Sequence, residues 1–217
     1  VINSLYHSKG SDALTKKRIV VKVGSNTIIN KEGGLNEERI DKLAGELVDL
    51  RHRGNDMILV TSGAIGVGMR KLKLSKSQKT IPLNQAMAAI GQGLLMRAYE
   101  DIFTRYNQVI AQILLTREDL EARNRYLNAR HAISTLLELG VIPIINENDT
   151  VAVEEIKFGD NDNLSALVAS LIGADLLINL SDTEGLFTGD PKCDVNVSLI
   201  AEVDKLTPEL EKIAGGA

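Results

Sequence analysis

Short carboxylates and amides are massed in two stretches of this chain: Asn146, Glu147, Asn148, Asp149 and Thr150, and then Gly159, Asp160, Asn161, Asp162 and Asn163. Glu147, Asp149, Asp160 and Asp162 fall within sixteen positions and repel one another unless a cation sits among them. The chemistry they suit is recognition of an ammonium group or of Mg2+. The same residue types also cap helices and make turns, and Asp162 or Asn163 is placed to cap a helix that follows. A second set begins with Lys22, which interrupts the β-branched run Arg18–Val23 one residue before its end, just ahead of Gly24 and Ser25. A lysine there either snorkels to a sheet rim or points its ammonium into a ligand crevice. Beside glycines whose N–H groups nest an anion, it suits a phosphoryl group in transfer. A third set, Thr61 to Gly68, combines hydroxyls with glycines that could cradle a phosphate but taken alone read first as turn-makers. The common nucleotide motifs G-x-x-x-x-G-K-[ST] and G-x-G-x-x-G do not occur in the chain.

The elements that must position these residues follow from hydrophobic period. Arg18–Val23, Met57–Val60, Val109–Leu115, Val141–Ile145 and Asp175–Leu180 read as buried strands. Between them, Ile40, Leu43, Leu47 and Leu50 recur at helical spacing up to a stop at Gly54. Leu83–Arg105 reads as a long helix with a small-residue stretch, Ala86 to Gly93, suited to close helix packing or a subunit contact. Arg123–Leu139 is a further helix, and Leu164–Ile172 is apolar at helical spacing. The acidic stretches therefore lie where a strand gives way to a helix, the place where open α/β sheets bind ligands. Strands alternating with helices predict a mostly parallel sheet covered on both faces.

Composition narrows the field. With 217 residues, 44% hydrophobic and 25% charged, the chain can bury a full core in one large α/β domain. A net charge of -4, a pI near 5.5, no Trp and 3% aromatics leave neither a basic footprint nor a stacking platform, which argues against a nucleic-acid partner. The single Cys193 excludes an internal disulfide, and three scattered histidines give no zinc-like spacing. No stretch approaches the roughly 18 apolar residues of a spanning helix, and the first 17 residues are mixed polar, so neither membrane nor secretion is expected. The expected location is the cytoplasm. Val at position 1 and the glycine-paired close, Ile213 to Ala217, suggest a piece of something longer.

Six ordered motifs, taken together, resemble the amino acid kinase family over about residues 18–217, behind a tail of residues 1–17. They are Val20–Ser25, Val60–Ile65, Ala89–Gly93, Ile144–Asp149, Gly159–Ser165, and Leu180–Asp182 with Gly185–Pro191. The resemblance implies an α/β three-layer sandwich with a mostly parallel central sheet. Within the family the motifs are most similar to those of the enzymes that phosphorylate the side-chain carboxylate of L-glutamate with ATP and Mg2+, giving L-glutamyl 5-phosphate at the opening of proline biosynthesis.

The resemblance also implies roles. Lys22 would contact the ATP phosphates, Ser62 would hold the acceptor, and Asp149 and Asn161 would bind glutamate, with Asn146 and Asp160 as helpers. Asp162 would be the catalytic aspartate that organises the cationic groups, and Ser181 and Asp182 would meet the nucleotide, Ser181 standing where the familiar bacterial pattern has Thr. A homodimer or homotetramer and feedback inhibition by proline are implied as well. The family continues past position 217 into a Gly-rich loop with a second phosphate-binding lysine and, in many bacterial members, a PUA domain. A non-catalytic glutamate- or proline-binding sensor is the alternative function.

Overall fold

The computed structural model of the chain describes residues 16–30, 34–74, 80–152, 161–190, 193 and 197–215. Five strands, β1 (Arg18–Val23), β2 (Asp56–Thr61), β3 (Ile110–Leu115), β4 (Ile142–Glu147) and β5 (Leu176–Leu180), pair in the order β3-β4-β2-β1-β5 with every pair parallel. Parallel neighbours require crossovers. These contain the helices α1 (Ser25–Ile28), α2 (Glu37–His52), α3 (Ala64–Lys71), α4 (Ile81–Arg105), α5 (Arg117–Glu121), α6 (Arg123–Glu138) and α7 (Asn161–Ile172). The three inner strands are buried almost throughout, as a sheet covered on both faces demands, whereas the edge strands β3 and β5 are partly exposed.

Side chains alternate across a strand, and that alternation decides which residues meet at the site. Ile19, Val21, Val23, Leu59 and Ile144 face a layer formed with Leu47 of α2 and Leu95, Tyr99 and Phe103 of α4. Val20, Ile58, Val60 and Ile145 face the opposite layer with Ile133 of α6 and Leu164 and Val168 of α7. Parity therefore assigns Lys22 to the α7 side, and Thr61 and Asn146 to the α4 side.

The helix ends carry local signals. The Asn36 side chain caps α2 by accepting from Arg39 N at 3.1 Å, Glu37 and Glu38 occupy its positive end, and Gly54 closes the exit with φ 94. Thr116 and Asp119 form a reciprocal capping box on α5, with Arg125 2.5 Å from Asp119.

Residues 61–68 differ from the sequence reading. Only Ser62 and Gly63 form the turn, and the glycines beyond them lie inside α3. Gly63 takes φ 104, which a side chain rarely adopts. Gly68 and Gly91 let α3 and α4 meet backbone to backbone, since a Cβ at Gly68 would lie 2.0 Å from the Met87 carbonyl oxygen. A helix poor in propensity is thus held by packing.

The chain divides into two compact units, Val1–Leu180 and Ser181–Ala217. In the second, Phe187 bridges Leu199 in antiparallel fashion, with Thr188 N donating to Ser198 O at 2.9 Å. A helix that the sequence reading did not anticipate, α8 (Pro208–Gly215), follows; Pro208 opens it and the Thr207 hydroxyl accepts from Leu210 N. No helix among the described residues is long and apolar enough to cross a membrane.

Tyr99 is fully buried, and its phenol shares a 2.7 Å hydrogen bond with Thr61 Oγ1. Burial pushes its pKa well above the ordinary 10.0, against a smaller lowering by that hydrogen bond. The folded chain therefore keeps a proton that the unfolded chain loses above about pH 10, so the contribution is intact below that pH and fades above it. Tyr99→Phe is expected to cost about 1 kcal/mol at neutral pH and to soften the alkaline loss. Urea unfolding at about pH 7 and about pH 11 would measure both.

Candidate functional site

The helix that follows β2, α3, packs on α4, whereas the next described helix after β4, α7, packs in the opposite layer, although the two strands are neighbours. Diverging exits open a crevice at the C-terminal ends of the strands, where ligands of open α/β sheets bind. Five of the residues singled out from sequence, Lys22, Ser62, Asn146, Asn161 and Asp162, come together there.

On one side of the crevice, Lys22 Nζ forms an ion pair with Asp162 Oδ1. The lysine side chain is 8% exposed and the aspartate 47%, so the ammonium does not snorkel to the rim but is held at the boundary of the core by a partner that faces solvent. α7 starts at Asn161, which puts Asp162 in its first turn, where the helix dipole favours a carboxylate. Asp162 and Asn163 are therefore inside the helix rather than capping residues ahead of it. The loop after β1 passes under the ammonium, for a Cβ at Gly24 would lie 4.0 Å from Lys22 Nζ. Gly24 N donates to Leu180 O at 3.2 Å, which ties this turn to the end of β5.

On the other side lies a chain of amides. The two N–H groups of Asn161 Nδ2 serve three acceptors, Thr61 O at 2.5 Å, Asn146 Oδ1 at 2.8 Å and Ser62 Oγ at 3.0 Å, so one of them is shared. Asn146 Oδ1 also accepts from Glu147 N at 2.9 Å, and Asn146 Nδ2 donates to Gln92 Oε1 at 2.8 Å. The register pairing Val60 with Ile145 explains the meeting, because it carries Thr61 and Asn146 side by side on the α4 face. Ser62 precedes Gly63, and the first N–H groups of α3 have no side-chain cap. Uncapped N–H groups at a helix start suit a carboxylate.

Asp149 stands half-buried on the turn after β4, in which Val151 N and Ala152 N both donate to Asn148 O. Asp160, with Gly159, lies outside the described residues. Ser181 and Asp182 open the second unit and are exposed, with Ser181 Oγ 3.2 Å from Thr183 Oγ1. Among the described residues no three His, Cys, Asp or Glu side chains are grouped to hold a metal ion. The residue that sequence reasoning missed is Gln92. It sits inside a quoted motif, and the available signal was an amide on the apolar stripe of α4, between Ala88 and Leu95.

Across residues 17–217 the chain matches the model of the amino acid kinase family. The chain belongs to that family. Among curated amino acid kinases, it is 54% identical over 201 residues to a protein named glutamate 5-kinase from Moorella thermoacetica, covering 93% of this chain and 53% of the relative. A glutamate 5-kinase from Caldanaerobacter subterraneus subsp. tengcongensis is 56% identical over 200 residues, covering 92% and 54%. One from Clostridium acetobutylicum is 52% identical over 200 residues, covering 92% and 75%. The chain thus spans about half the length of the first two relatives. Among solved structures, the UMP kinase of Ureaplasma parvum superposes with a TM-score of 0.58 at 15% identity, over 86% of this chain and 75% of that one, a likeness of fold. The five-stranded parallel sheet with helices on both faces is the amino acid kinase architecture expected from the motifs.

Proposed function

We propose that this chain carries the acceptor half, and part of the phosphate half, of an ATP-dependent kinase that phosphorylates the side-chain carboxylate of L-glutamate to L-glutamyl 5-phosphate, opening proline biosynthesis. The observation that carries the reading is the joint placement of the Lys22–Asp162 ion pair and the Ser62–Asn161–Asn146 amide cluster at the C-terminal ends of the inner strands. The names of the curated relatives support the same substrate.

In this reading a glutamate side-chain oxygen attacks the γ-phosphorus of ATP. The new O–P bond forms as the bond to the β-γ bridging oxygen breaks, and ADP leaves with that electron pair. A carboxylate is already a nucleophile, so no general base is required, and the work of the site is in-line positioning and charge neutralisation. Lys22 places a fixed ammonium against the charge that builds on the transferred group. Asp162 holds that ammonium in place.

Ser62 and the start of α3 receive an acceptor carboxylate. Asp149 and the carbonyl oxygen of Asn161 receive the α-ammonium, each charge-assisted hydrogen bond contributing about 1.5 to 3 kcal/mol. Ser181 and Asp182 meet the nucleotide. With no cage of protein ligands among the described residues, the donor set fits a Mg2+ that arrives on the nucleotide, held mainly by phosphate oxygens with Asp162 as the nearby carboxylate. Such an ion would screen the phosphate charge. The cytoplasm as location, a homodimer or homotetramer, and feedback by proline complete the proposal.

Calorimetric titration with L-glutamate, L-aspartate and N-acetyl-L-glutamate tests it, with selective binding of L-glutamate expected. Asn161→Ala is expected to weaken that binding about 10- to 100-fold. Selective binding of another acceptor would overturn the substrate. Glutamate binding without glutamate-dependent ADP release would make the site a sensor.

A further inference from the structure

We propose that Gln92 is a positioning residue that secures, together with the main chain, the hydrogen-bonding polarity of Asn146 and, through it, of Asn161, so that Asn161 offers the pocket only a carbonyl oxygen, the acceptor an α-ammonium needs. The proposal deepens the acceptor reading above and rests on it.

Main-chain groups that cannot turn round set the polarity at both ends. The Thr61 carbonyl only accepts, and takes Asn161 Nδ2 at 2.5 Å. The Glu147 N–H only donates, and gives to Asn146 Oδ1 at 2.9 Å. Asn161 must therefore turn its NH2 inward and Asn146 its oxygen, and the two amides match at 2.8 Å. What remains of Asn146 is its NH2, aimed at α4, where Gln92 Oε1 accepts it at 2.8 Å. Turning over any one amide sets donor against donor or acceptor against acceptor.

Gln92 itself is buried, and its Nε2 finds no partner among the described residues. An apolar side chain of the same size would fill the position without that unpartnered donor. Its acceptor is what distinguishes glutamine here. Without it, Asn146 Nδ2 is orphaned in the native arrangement, and the Thr61 carbonyl and the Glu147 N–H alone must hold that arrangement against a reoriented pair in which Asn161 turns an N–H toward the ligand.

The test compares L-glutamate with glutarate, which lacks the α-ammonium, by calorimetry on wild-type protein, on Gln92→Met, which removes the acceptor at similar volume, and on Gln92→Glu, which keeps an oxygen at the same reach. The ratio of glutarate to glutamate Kd is expected to fall about tenfold in Gln92→Met and to stay within about threefold of wild type in Gln92→Glu. An equal loss for both ligands at an unchanged ratio would reduce Gln92 to packing and overturn the proposal alone. A wild-type protein that binds neither ligand would sink the acceptor reading and, with it, the purpose assigned to Gln92. Should Gln92→Met fail to fold, side-chain amide NMR on the ligand-free wild type decides: the Asn146 NH2 is expected to be protected from hydrogen exchange, and free exchange overturns the proposal.

Discussion

Lys22→Ala is expected to lower glutamate-dependent ADP formation about a hundred- to a thousandfold while leaving L-glutamate binding within about threefold of wild type, the loss characteristic of one preorganised donor to a developing negative charge. The split between turnover and binding follows from position. Lys22 faces the α7 layer and meets Asp162, whereas the amide cluster is anchored to Thr61 and Asn146 on the α4 face. Removing the ammonium leaves those amides in place. It also leaves Asp162 without its Lys22 partner beside the incoming phosphates, so repulsion adds to the lost attraction. Lys22→Arg is not expected to restore activity, because the planar guanidinium cannot occupy the point position of an ammonium that overhangs the Gly24 turn. Steady-state kinetics paired with calorimetry on each variant measures both quantities. Near-normal turnover in Lys22→Ala would remove the lysine from the reaction.

Gly91→Ala is expected to destabilise the fold by about 3 kcal/mol or more, at the upper end of overpacking effects. Its Cβ would lie 1.7 Å from the Ala64 carbonyl oxygen and 2.7 Å from Gly68 N. Both obstacles are backbone, so no rotamer change relieves them and α3 itself must shift. That helix begins directly after Ser62 and Gly63, so a surviving fold should also bind glutamate less well. Two residues on, Gly93 is exposed and a Cβ there meets nothing within 4 Å. Gly93→Ala should stabilise the chain by about 0.5 to 1 kcal/mol through helix propensity. Urea unfolding of the pair reads opposite signs from one chemical change. Equal effects would mean that the contact between α3 and α4 is looser than described.

The strands and long helices were legible because their periods are clean. The run Val20–Val23 announces a buried strand, and Lys22 announces a site by breaking it. Residues 64–71 were not legible as a helix, because Gly66 and Gly68 weaken local propensity and the helix depends on α4, a partner distant in sequence. The short α1 and α5 were passed over for want of length, although Thr116 and Asp119 carry a capping signature. The Thr207–Pro208 opening of α8 was likewise readable.

At the site, the types of Asn146, Asn161 and Asp162 suggested their chemistry, but their pairing could not be read. It depends on the register that aligns β2 with β4, across an intervening stretch of some eighty residues. Gln92 needed one step more, the recognition that an amide on an otherwise apolar stripe must answer another buried polar group.

The strand order has a consequence for how the protein is made. β1 is translated before the other four strands of the sheet, yet it lies between β2 and β5, and its bonds to Asp175, in which Arg18 N donates to Asp175 Oδ2 at 2.7 Å and Asp175 N to Arg18 O at 2.9 Å, span almost the whole first unit. Until β5 emerges from the ribosome, one side of β1 offers bare N–H and C=O groups to any passing strand. Such distant pairing makes folding slow and the growing chain prone to aggregation. The nascent polypeptide should therefore need shelter by chaperones until residue 180 has cleared the exit tunnel.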